Sequence, residues 1–377
     1  MKGSIRALIL LAAAAALPAL ADVSLTTGDA VRANSKAHVK SKDSRNAARR
    51  NASPSGRRAL ATGSIALVDN AGVKYFINTN ITFSTSSSAS AAMSEASYTH
   101  AVQASTLNGG FVASMLNDAF DGYNTMCINP ARDQTGTCET GNSKFIIYNK
   151  LGPAALDATC GNRQVDFPIQ TIGSGTAAGL QMSRKVYVPS TDSFARWLNI
   201  FYNPTASPIS FRVIIANNLG SDSNTTITGS SNTGTSSPTT ADTWVATFQN
   251  FSGTTSSDPR LGHVLQGASA AVPLSGVHFA NGDDNPFWSY DLTVNPGATE
   301  VIMNFVAVQP TKAAAATKAA SLAANPPTVC MSGLERSGTG NFGLGSAVVP
   351  SLSRTGLVIL GFALALSAAA VLRKSIL

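Results

Sequence analysis

The chain has little charge, and the charge that it has is unevenly placed. Only 12% of its 377 residues are charged, and the formal net charge is +7. Residues 31–58 hold nine basic residues against Asp43 alone, whereas residues 59–353 hold 13 basic and 17 acidic ones. The middle of the chain is therefore slightly acidic, which argues against nucleic-acid binding by a folded body.

Residue types that serve in catalysis are also scarce. Between residues 59 and 348 the only histidines are His100, His263 and His278, and glutamate occurs four times. A hydrolase would need paired carboxylates, or a nucleophile beside a base. No Gly-x-Ser-x-Gly motif is present, and the neighbouring Asp283 and Asp284 would point to opposite sides of a strand. The sequence therefore predicts a protein that is not an enzyme.

Large apolar residues are nearly missing from residues 22–58, which follow a secretory leader. Residues 1–21 have a short basic start, an apolar core, and small residues at Ala19 and Ala21. This pattern is typical of a signal peptide cleaved after Ala21. With so little apolar surface to bury, residues 22–58 are predicted to be a disordered basic arm. The arm serves either as a solvated linker or as a contact for anionic polysaccharide or lipid.

There are only four cysteines, and no two of them form a CxxC pair. The spacing disfavours a zinc site, and an even number in an exported chain favours disulfides, with three possible connectivities. Ten polar, glycine-containing residues separate Cys127 from Cys138, which makes an easy loop. We therefore favour that pair, which leaves Cys160 with Cys330.

What the chain has in abundance is glycine, serine, threonine and asparagine between short apolar runs. Such runs with turn residues between them predict an antiparallel β-sandwich over residues 59–331, of which a large supersandwich-like domain is one form. A hairpin is expected at residues 64–77 and one short C-terminal helix at 311–324. Residues 332–348 are small and glycine-rich, which indicates a spacer. Further strands are expected at residues 144–148, 163–167, 182–188, 196–202, 209–216, 225–228, 243–248, 264–265, 277–279, 287–294 and 300–308.

Acidic residues in turns are the best candidates for a ligand or calcium site. Asp222, Asp258, Asp283 and Asp284 all lie among Gly, Asn, Ser or Pro. Calcium takes such oxygen ligands, although the spacings do not fit an EF-hand loop. The alternative is that these side chains only hydrogen-bond their own turns. No other cofactor is indicated.

Carbohydrate binding would need an exposed aromatic ring. Trp197 and Trp244 lie in strand-like apolar runs, so we expect both to pack in the core. Trp288, beside the acidic turn, is the tryptophan best placed for exposure, although core packing is the better expectation for it as well. Trp288 is therefore the candidate sugar-contacting residue.

The C-terminus carries the most specific pattern. A Pro-containing motif precedes Gly356, an apolar run to Leu372, and the basic pair Arg373 and Lys374. The run is long enough to span a bilayer as a short helix, with the basic pair on the cytoplasmic side. The motif itself consists of Val349, Pro350, Ser351, Leu352 and Ser353.

This three-part layout resembles the IPTL-CTERM sorting signal of Gram-negative bacteria, a relative of the PEP-CTERM signals. The resemblance implies that residues 349–377 are recognised and cut by an exosortase-type membrane protease. The chain would then pass through the inner membrane, be held briefly by its C-terminal helix, and reach the cell surface or the exterior. Arg354 and Thr355 depart from the family pattern.

A second resemblance covers residues 160–342. It rests on segments such as residues 180–189, 194–198, 218–222 and 242–244, which resemble a β-sandwich module that recurs in bacterial surface proteins. Together these features predict a surface-sorted structural or adhesive protein of the envelope or matrix. The alternative is a carbohydrate-binding module, and a secreted hydrolase comes third.

Overall fold

The computed structural model describes residues 63–79, 89–100, 116, 119–138, 142–149, 154–221, 225–249 and 259–344. The predicted signal peptide, basic arm and sorting segment lie outside these residues, as do Asp222 and Asp258. Among the residues described, no helix has the length and apolar character needed to cross a membrane.

The described residues contain 17 strands, numbered here in chain order. The first eight are β1 (Ser64–Val68), β2 (Val73–Asn78), β3 (Met93–Tyr98), β4 (Gly122–Asn129), β5 (Ile146–Ile147), β6 (Ala155–Leu156), β7 (Gln164–Asp166) and β8 (Gln170–Thr171). The others are β9 (Gln181–Tyr187), β10 (Ala195–Tyr202), β11 (Ile209–Asn218), β12 (Thr225–Ser230), β13 (Trp244–Gln249), β14 (Arg260–Val264), β15 (Leu274–His278), β16 (Phe287–Val294) and β17 (Thr299–Gln309).

These strands form two antiparallel sheets. The first sheet has eight strands in the order β1-β2-β3-β4-β11-β16-β15, with β5 also paired to β4. The second has nine strands in the order β12-β13-β14-β17-β10-β9-β7-β6, with β8 also paired to β9. Side chains from both sheets meet in one buried apolar cluster. The predicted mainly β, sandwich-like fold is confirmed.

The hairpin predicted at the start of the body is formed by β1 and β2. Its turn is organised by Asp69, whose Oδ1 accepts hydrogen bonds from the backbone N–H groups of Ala71 and Val73, each at 2.9 Å. Gly72 has φ of +80°, which a residue with a Cβ rarely adopts. Because Asp69 is buried, its pKa rises to about 6.

The longest apolar run of the body forms strand β17, which is covered on both faces. Ile302, Val306 and Val308 pack between the sheets, while Val301 and Phe305 contact a second apolar cluster on the opposite face. A central strand covered on both faces needs apolar residues at consecutive positions rather than alternate ones.

Strand β9 is half-buried, with alternate residues facing the core, but one of its inward-facing residues is basic. Arg184 points between the sheets and is fully buried. Its guanidinium donates to Oδ1 of Asn199 at 2.8 Å, and to the carbonyl oxygens of Asn124 at 2.6 Å and Ser90 at 3.3 Å. Burial lowers the pKa of Arg184 to about 9. A long basic side chain can therefore face inward when amide and carbonyl oxygens surround its charge.

A helix covers the outer face of the second sheet. Helix α1 (Lys312–Ala324) agrees with the predicted helix and begins after Thr311, whose side chain accepts from the N–H of Ala314 at 3.1 Å. It packs closely on β14, because a Cβ on Gly262 would lie 2.5 Å from the carbonyl oxygen of Ala315. This close approach needs glycine on the strand and alanine on the helix.

Residues 332–344 correct the predicted spacer. Within them, helix α2 (Gly333–Ser337) and the 3₁₀ turn Gly340–Phe342 pack against the second sheet. The side chain of Asn341 is buried, donates to the carbonyl oxygens of Leu265 and Met303, and accepts from the N–H of Met303. The small residues that suggested a spacer instead allow a close backbone approach. We call residues 325–344 the C-terminal strap.

The four cysteines form two disulfides, in the pairing that the sequence favours. Cys127 is bonded to Cys138, and Cys160 to Cys330. The first closes a short loop beside β4, and the second ties the C-terminal strap to the region before β7. Two disulfides indicate an oxidising environment outside the cytoplasm.

Candidate functional site

Within the part of the chain that the structure describes, the outer face of the first sheet is covered by a loop rather than a helix. Residues 130–138 and 142–145, which we call the disulfide loop, follow β4 and are tied to it by the Cys127–Cys138 bond. Ile214 and Ala216 of β11 contact this bond on the outer face of the sheet. The disulfide loop is therefore held on the sheet at its base.

Polar contacts fix the rest of the disulfide loop. Nζ of Lys144 lies 2.6 Å from Oδ2 of Asp133, and Oδ1 of Asn129 accepts from the N–H of Asp133 at 2.9 Å. The guanidinium of Arg132 donates to the backbone carbonyl of Leu292 and to the hydroxyl of Thr293 in β16. A loop tied to the sheet at both sides can form a rigid wall.

A pocket of about 320 Å³ opens between this wall and the ends of β15 and β16. Its lining combines amide, hydroxyl, carboxylate, imidazole and phenyl groups. The lining residues are Gln134, Thr135, Gly136, Thr137, Asn142, Phe145, His278, Asp283, Asn285 and Phe287.

A histidine–aspartate pair forms one side of the pocket. Nε2 of His278 lies 2.9 Å from Oδ2 of Asp283, and both side chains are partly exposed. Oδ1 of Asp283 accepts from the N–H of Asn285 at 2.9 Å. The imidazole of His278 stacks on the ring of Phe287, with ring centres 5.1 Å apart and planes 18° apart. The two rings are neighbours because His278 and Phe287 face each other across β15 and β16.

Amide groups form the other side. Nδ2 of Asn142 donates to Oε1 of Gln134 at 3.1 Å, and Oδ1 of Asn142 accepts from the N–H of Lys144 at 3.1 Å. Because Oε1 of Gln134 accepts this bond, its NH₂ group is the part left to donate. Phe145, half-buried against the disulfide, adds an apolar surface.

The acidic turn predicted to bind a ligand lies at this pocket, but its hydrogen bonds also organise the turn. Asp283 accepts from Asn285 and pairs with His278, and Oδ1 of Asp284 accepts from Nδ2 of Asn285. Among the described side chains, no three or more of His, Cys, Asp or Glu are grouped so that they could hold a metal ion. Asp222 and Asp258, named with this turn, lie outside the described residues.

Trp288, the candidate sugar-contacting residue, is fully buried. Its ring packs between the sheets and stacks on Phe279, with centres 5.9 Å apart. It is adjacent in sequence to Phe287, and neighbouring residues of a strand face opposite sides of the sheet. The ring that reaches the pocket is therefore Phe287. Trp197 is buried in the same core, as expected, whereas Trp244 is only partly buried, against the second cluster.

The other histidine of interest is structural. His263 is fully buried, with Nδ1 2.8 Å from the hydroxyl of Tyr123 and Nε2 2.8 Å from the hydroxyl of Thr247. Burial lowers the pKa of His263 to about 3, so the imidazole is neutral. It bridges the two sheets rather than serving a solvent-exposed site.

The sequence missed most of the pocket. Of its lining residues, only Asp283 was named as a candidate ligand residue. Gln134 and Asn142 come from a loop whose place on the sheet depends on the disulfide, and Phe287 depends on the register of β15 against β16. The one sequence feature that could have indicated the pocket was a polar loop between two cysteines, followed by the aromatic residue Phe145.

No protein-family model matches this chain, and no curated protein matches it. Among solved structures, a galactose mutarotase-like protein from Lactobacillus casei matches with a TM-score of 0.35 and 10% identity, covering 66% of this chain and all of that one. A polysaccharide lyase matches with a TM-score of 0.33 and 11% identity over 65% of this chain. This chain spans only 34% of that lyase. Likeness at this level supports no inference about activity.

Proposed function

We propose that the chain is an exported structural or adhesive protein, displayed at the cell surface by its C-terminal sorting segment. The observation that carries this proposal is how the C-terminal strap is held. The strap is fixed to the body by the Cys160–Cys330 bond and by the buried Asn341. The sorting motif begins soon afterwards, at Val349. An anchor placed there would hold a body whose own C-terminus is locked by a covalent bond.

The mass of the surface-exposed protein tests this proposal. Cells that produce the full chain should yield a surface form that begins at Asp22 and lacks residues 357–377. Deletion of a co-produced exosortase-type protease should leave the C-terminal peptide attached. Recovery of an intact C-terminus from surface material of protease-containing cells would contradict the proposal.

The basic arm offers a second contact within this function. Its nine cations in residues 31–58 would bind anionic polysaccharide or lipid through charge alone. Binding of the exported protein to anionic vesicles should therefore fall steeply with added salt. It should also be lost when the basic residues of the arm are replaced by glutamine.

Carbohydrate binding is the second candidate function, and the pocket is the observation that favours it. The pocket replaces Trp288 as the place where a sugar would lie, because it joins the half-buried ring of Phe287 to amide and carboxylate groups. A glycan array probed with the exported protein tests this candidate, and Phe287→Leu should weaken any binding that is found.

A further inference from the structure

The charge of the pocket restricts what it can bind. Its lining includes no lysine or arginine, and the groups able to carry charge are Asp283 and His278. A phosphate, sulfate or uronate would approach a carboxylate with no arginine or lysine in the lining to offset the repulsion. The pocket therefore disfavours anions.

The polar groups suit hydroxyls. Each oxygen of Asp283 has two lone pairs and uses one of them, for the N–H of Asn285 or for Nε2 of His278. Each can accept one more hydrogen bond, and a carboxylate is a strong acceptor for a neutral O–H donor. On the opposite side, the amides of Gln134 and Asn142 can donate. Adjacent hydroxyls of a sugar ring can both donate to the carboxylate and accept from the amides.

The aromatic groups suit the apolar face of a sugar. Phe287 is half-buried, and the imidazole of His278 stacks on it, so the orientation of both rings is fixed. The electron-rich face of an aromatic ring attracts polarised C–H groups. A ring with C–H groups on one face and hydroxyls at its edge matches a pocket with phenyl rings and polar side chains.

Size and rigidity agree with a small ligand. A volume of about 320 Å³ lies at the small end of the range of roughly 300–1,000 Å³ for small-molecule sites. The walls are fixed before binding by the Cys127–Cys138 bond and by the contacts of Arg132 and Lys144. A rigid site loses less entropy when it binds.

We propose that this pocket binds an uncharged hexose unit, with Phe287 contacting the sugar face and Asp283, positioned by His278, accepting its hydroxyls. The inference rests on carbohydrate binding, the second candidate function above, and adds the class of sugar and the residues that hold it. It does not depend on C-terminal sorting.

The test measures binding of neutral hexoses to the purified full chain by saturation-transfer NMR and calorimetry. Neutral hexoses should bind with millimolar dissociation constants, as expected for a small open pocket. Glucuronate and tetramethylammonium serve as the anionic and cationic probes. Glucuronate, which the carboxylate of Asp283 should repel, should bind about tenfold more weakly than the best neutral hexose, and tetramethylammonium, which offers no hydroxyls, should bind no more tightly than that hexose.

Two variants, each with a matched control on the same sheet, locate the site. Asp283→Asn should weaken hexose binding about tenfold, the factor that corresponds to the loss of one charge-assisted hydrogen bond. Asp291→Asn is its control, since Asp291 is about as exposed as Asp283, at 36% against 35%, and does not line the pocket. Phe287→Leu should weaken binding about fivefold, a change within the energy of one aromatic contact. Phe76→Leu, at a half-buried position of β2, should leave it unchanged.

Each outcome decides a separate point. If no neutral hexose binds the folded chain, both the inference and the carbohydrate-binding function are wrong. If hexoses bind equally to wild type, Asp283→Asn and Phe287→Leu, carbohydrate binding stands and the pocket is wrong. If glucuronate or tetramethylammonium binds more tightly than every hexose, the site stands and the ligand class is wrong.

Discussion

The outer faces of the two sheets are covered in different ways, and the difference decides where a ligand can bind. On the second sheet, helix α1 and the C-terminal strap pack alanine, Phe342 and small residues against the strands. On the first sheet, among the described residues, the disulfide loop lies over β4 and β11 through a small apolar cluster at the Cys127–Cys138 bond and through polar contacts elsewhere. A helix satisfies its own backbone and can bury an apolar face completely. A loop must direct polar groups to one another and to solvent, so the covering of the first sheet leaves a polar pocket.

Both coverings are fastened by a disulfide, which makes the comparison testable. The Cys160–Cys330 bond joins residues 170 apart in sequence, and the Cys127–Cys138 bond joins residues 11 apart. On loop-entropy grounds, Cys160→Ser/Cys330→Ser should lower the free energy of unfolding by about 5 kcal/mol and Cys127→Ser/Cys138→Ser by about 3 kcal/mol. Urea unfolding of both double variants measures the difference. Equal losses of unfolding free energy would mean that the length of the closed loop does not set the contribution of each disulfide.

The next largest loss of stability is expected from truncating an apolar residue that packs on the outer face of the second sheet. Phe342 is 6% exposed and packs edge-on against Phe305, with ring centres 5.7 Å apart. Phe342→Ala should cost about 4 kcal/mol, because it removes a buried ring and leaves a cavity. Phe145→Ala in the disulfide loop should cost less than half as much, since Phe145 is half-exposed. Chemical denaturation of both variants tests this. Similar losses of unfolding free energy would mean that the two outer faces are equally well packed.

The stability of the protein should depend on pH through two buried groups, His263 and Asp69. His263 has a pKa of about 3, below its usual 6.5, so the stability that it contributes is present above pH 6.5 and is lost as the pH falls towards 3. Asp69 has a pKa of about 6, above its usual 3.8, so its contribution is present below pH 3.8 and is lost as the pH rises through 6. Between pH 4 and 6 the two effects oppose each other.

Replacing Asp69 should reveal the pH dependence of stability that is due to His263. In Asp69→Asn, the free energy of unfolding should fall by about 3 kcal/mol from pH 6 to pH 4, near the limit for one proton taken up on unfolding. The wild type should change much less over this range. Urea titrations at several pH values measure both slopes. Equal slopes in the two proteins would show that Asp69 titrates normally.

Removing an ion pair from each sheet should give the smallest difference in stability. Glu335 is 6% exposed, lies 3.0 Å from Nζ of Lys185, and completes a capping box with Ser332. Glu335→Ala should therefore cost between about 1 and 2 kcal/mol. Asp291 pairs with Arg212 on the more exposed first sheet, and Asp291→Ala should cost less than about 1 kcal/mol. Thermal unfolding with and without added salt compares them, and only the second loss should shrink when salt is added.

Much of the fold could be predicted because strand periodicity is local. Strand β16 was predicted with its observed bounds, and β10, β11, β17 and helix α1 to within two residues. Strands β3 and β4 were not named, since Met93–Tyr98 is rich in small residues and β4 is buried at all eight positions without a clear alternation. The two disulfides followed from spacing and parity.

The candidate site could be predicted only in part. Asp283 was named because acidic turn residues are visible in sequence, whereas Gln134 and Asn142 are brought to it by the disulfide loop and His278 by the pairing of β15 with β16. Trp288 packs in the core, the better of the two expectations for it, and it makes no contact with the pocket because exposure depends on which face of β16 is inward. A shift of one residue in register would exchange Trp288 with Phe287.

The sequence by itself determined the elements of this protein: short strands, one helix, turns, disulfide partners and an expected export and sorting pattern. Apart from the disulfide partners, those features depend on neighbouring residues, whose conformational preferences act over a few positions. The tertiary structure decided which outer face is sealed and which carries a pocket. That choice depends on contacts between residues far apart in the chain, such as Gly262 with Ala315, Asn341 with Leu265, and the disulfide loop with β16. Only packing brings such residues together, so composition and periodicity carry no signal for them.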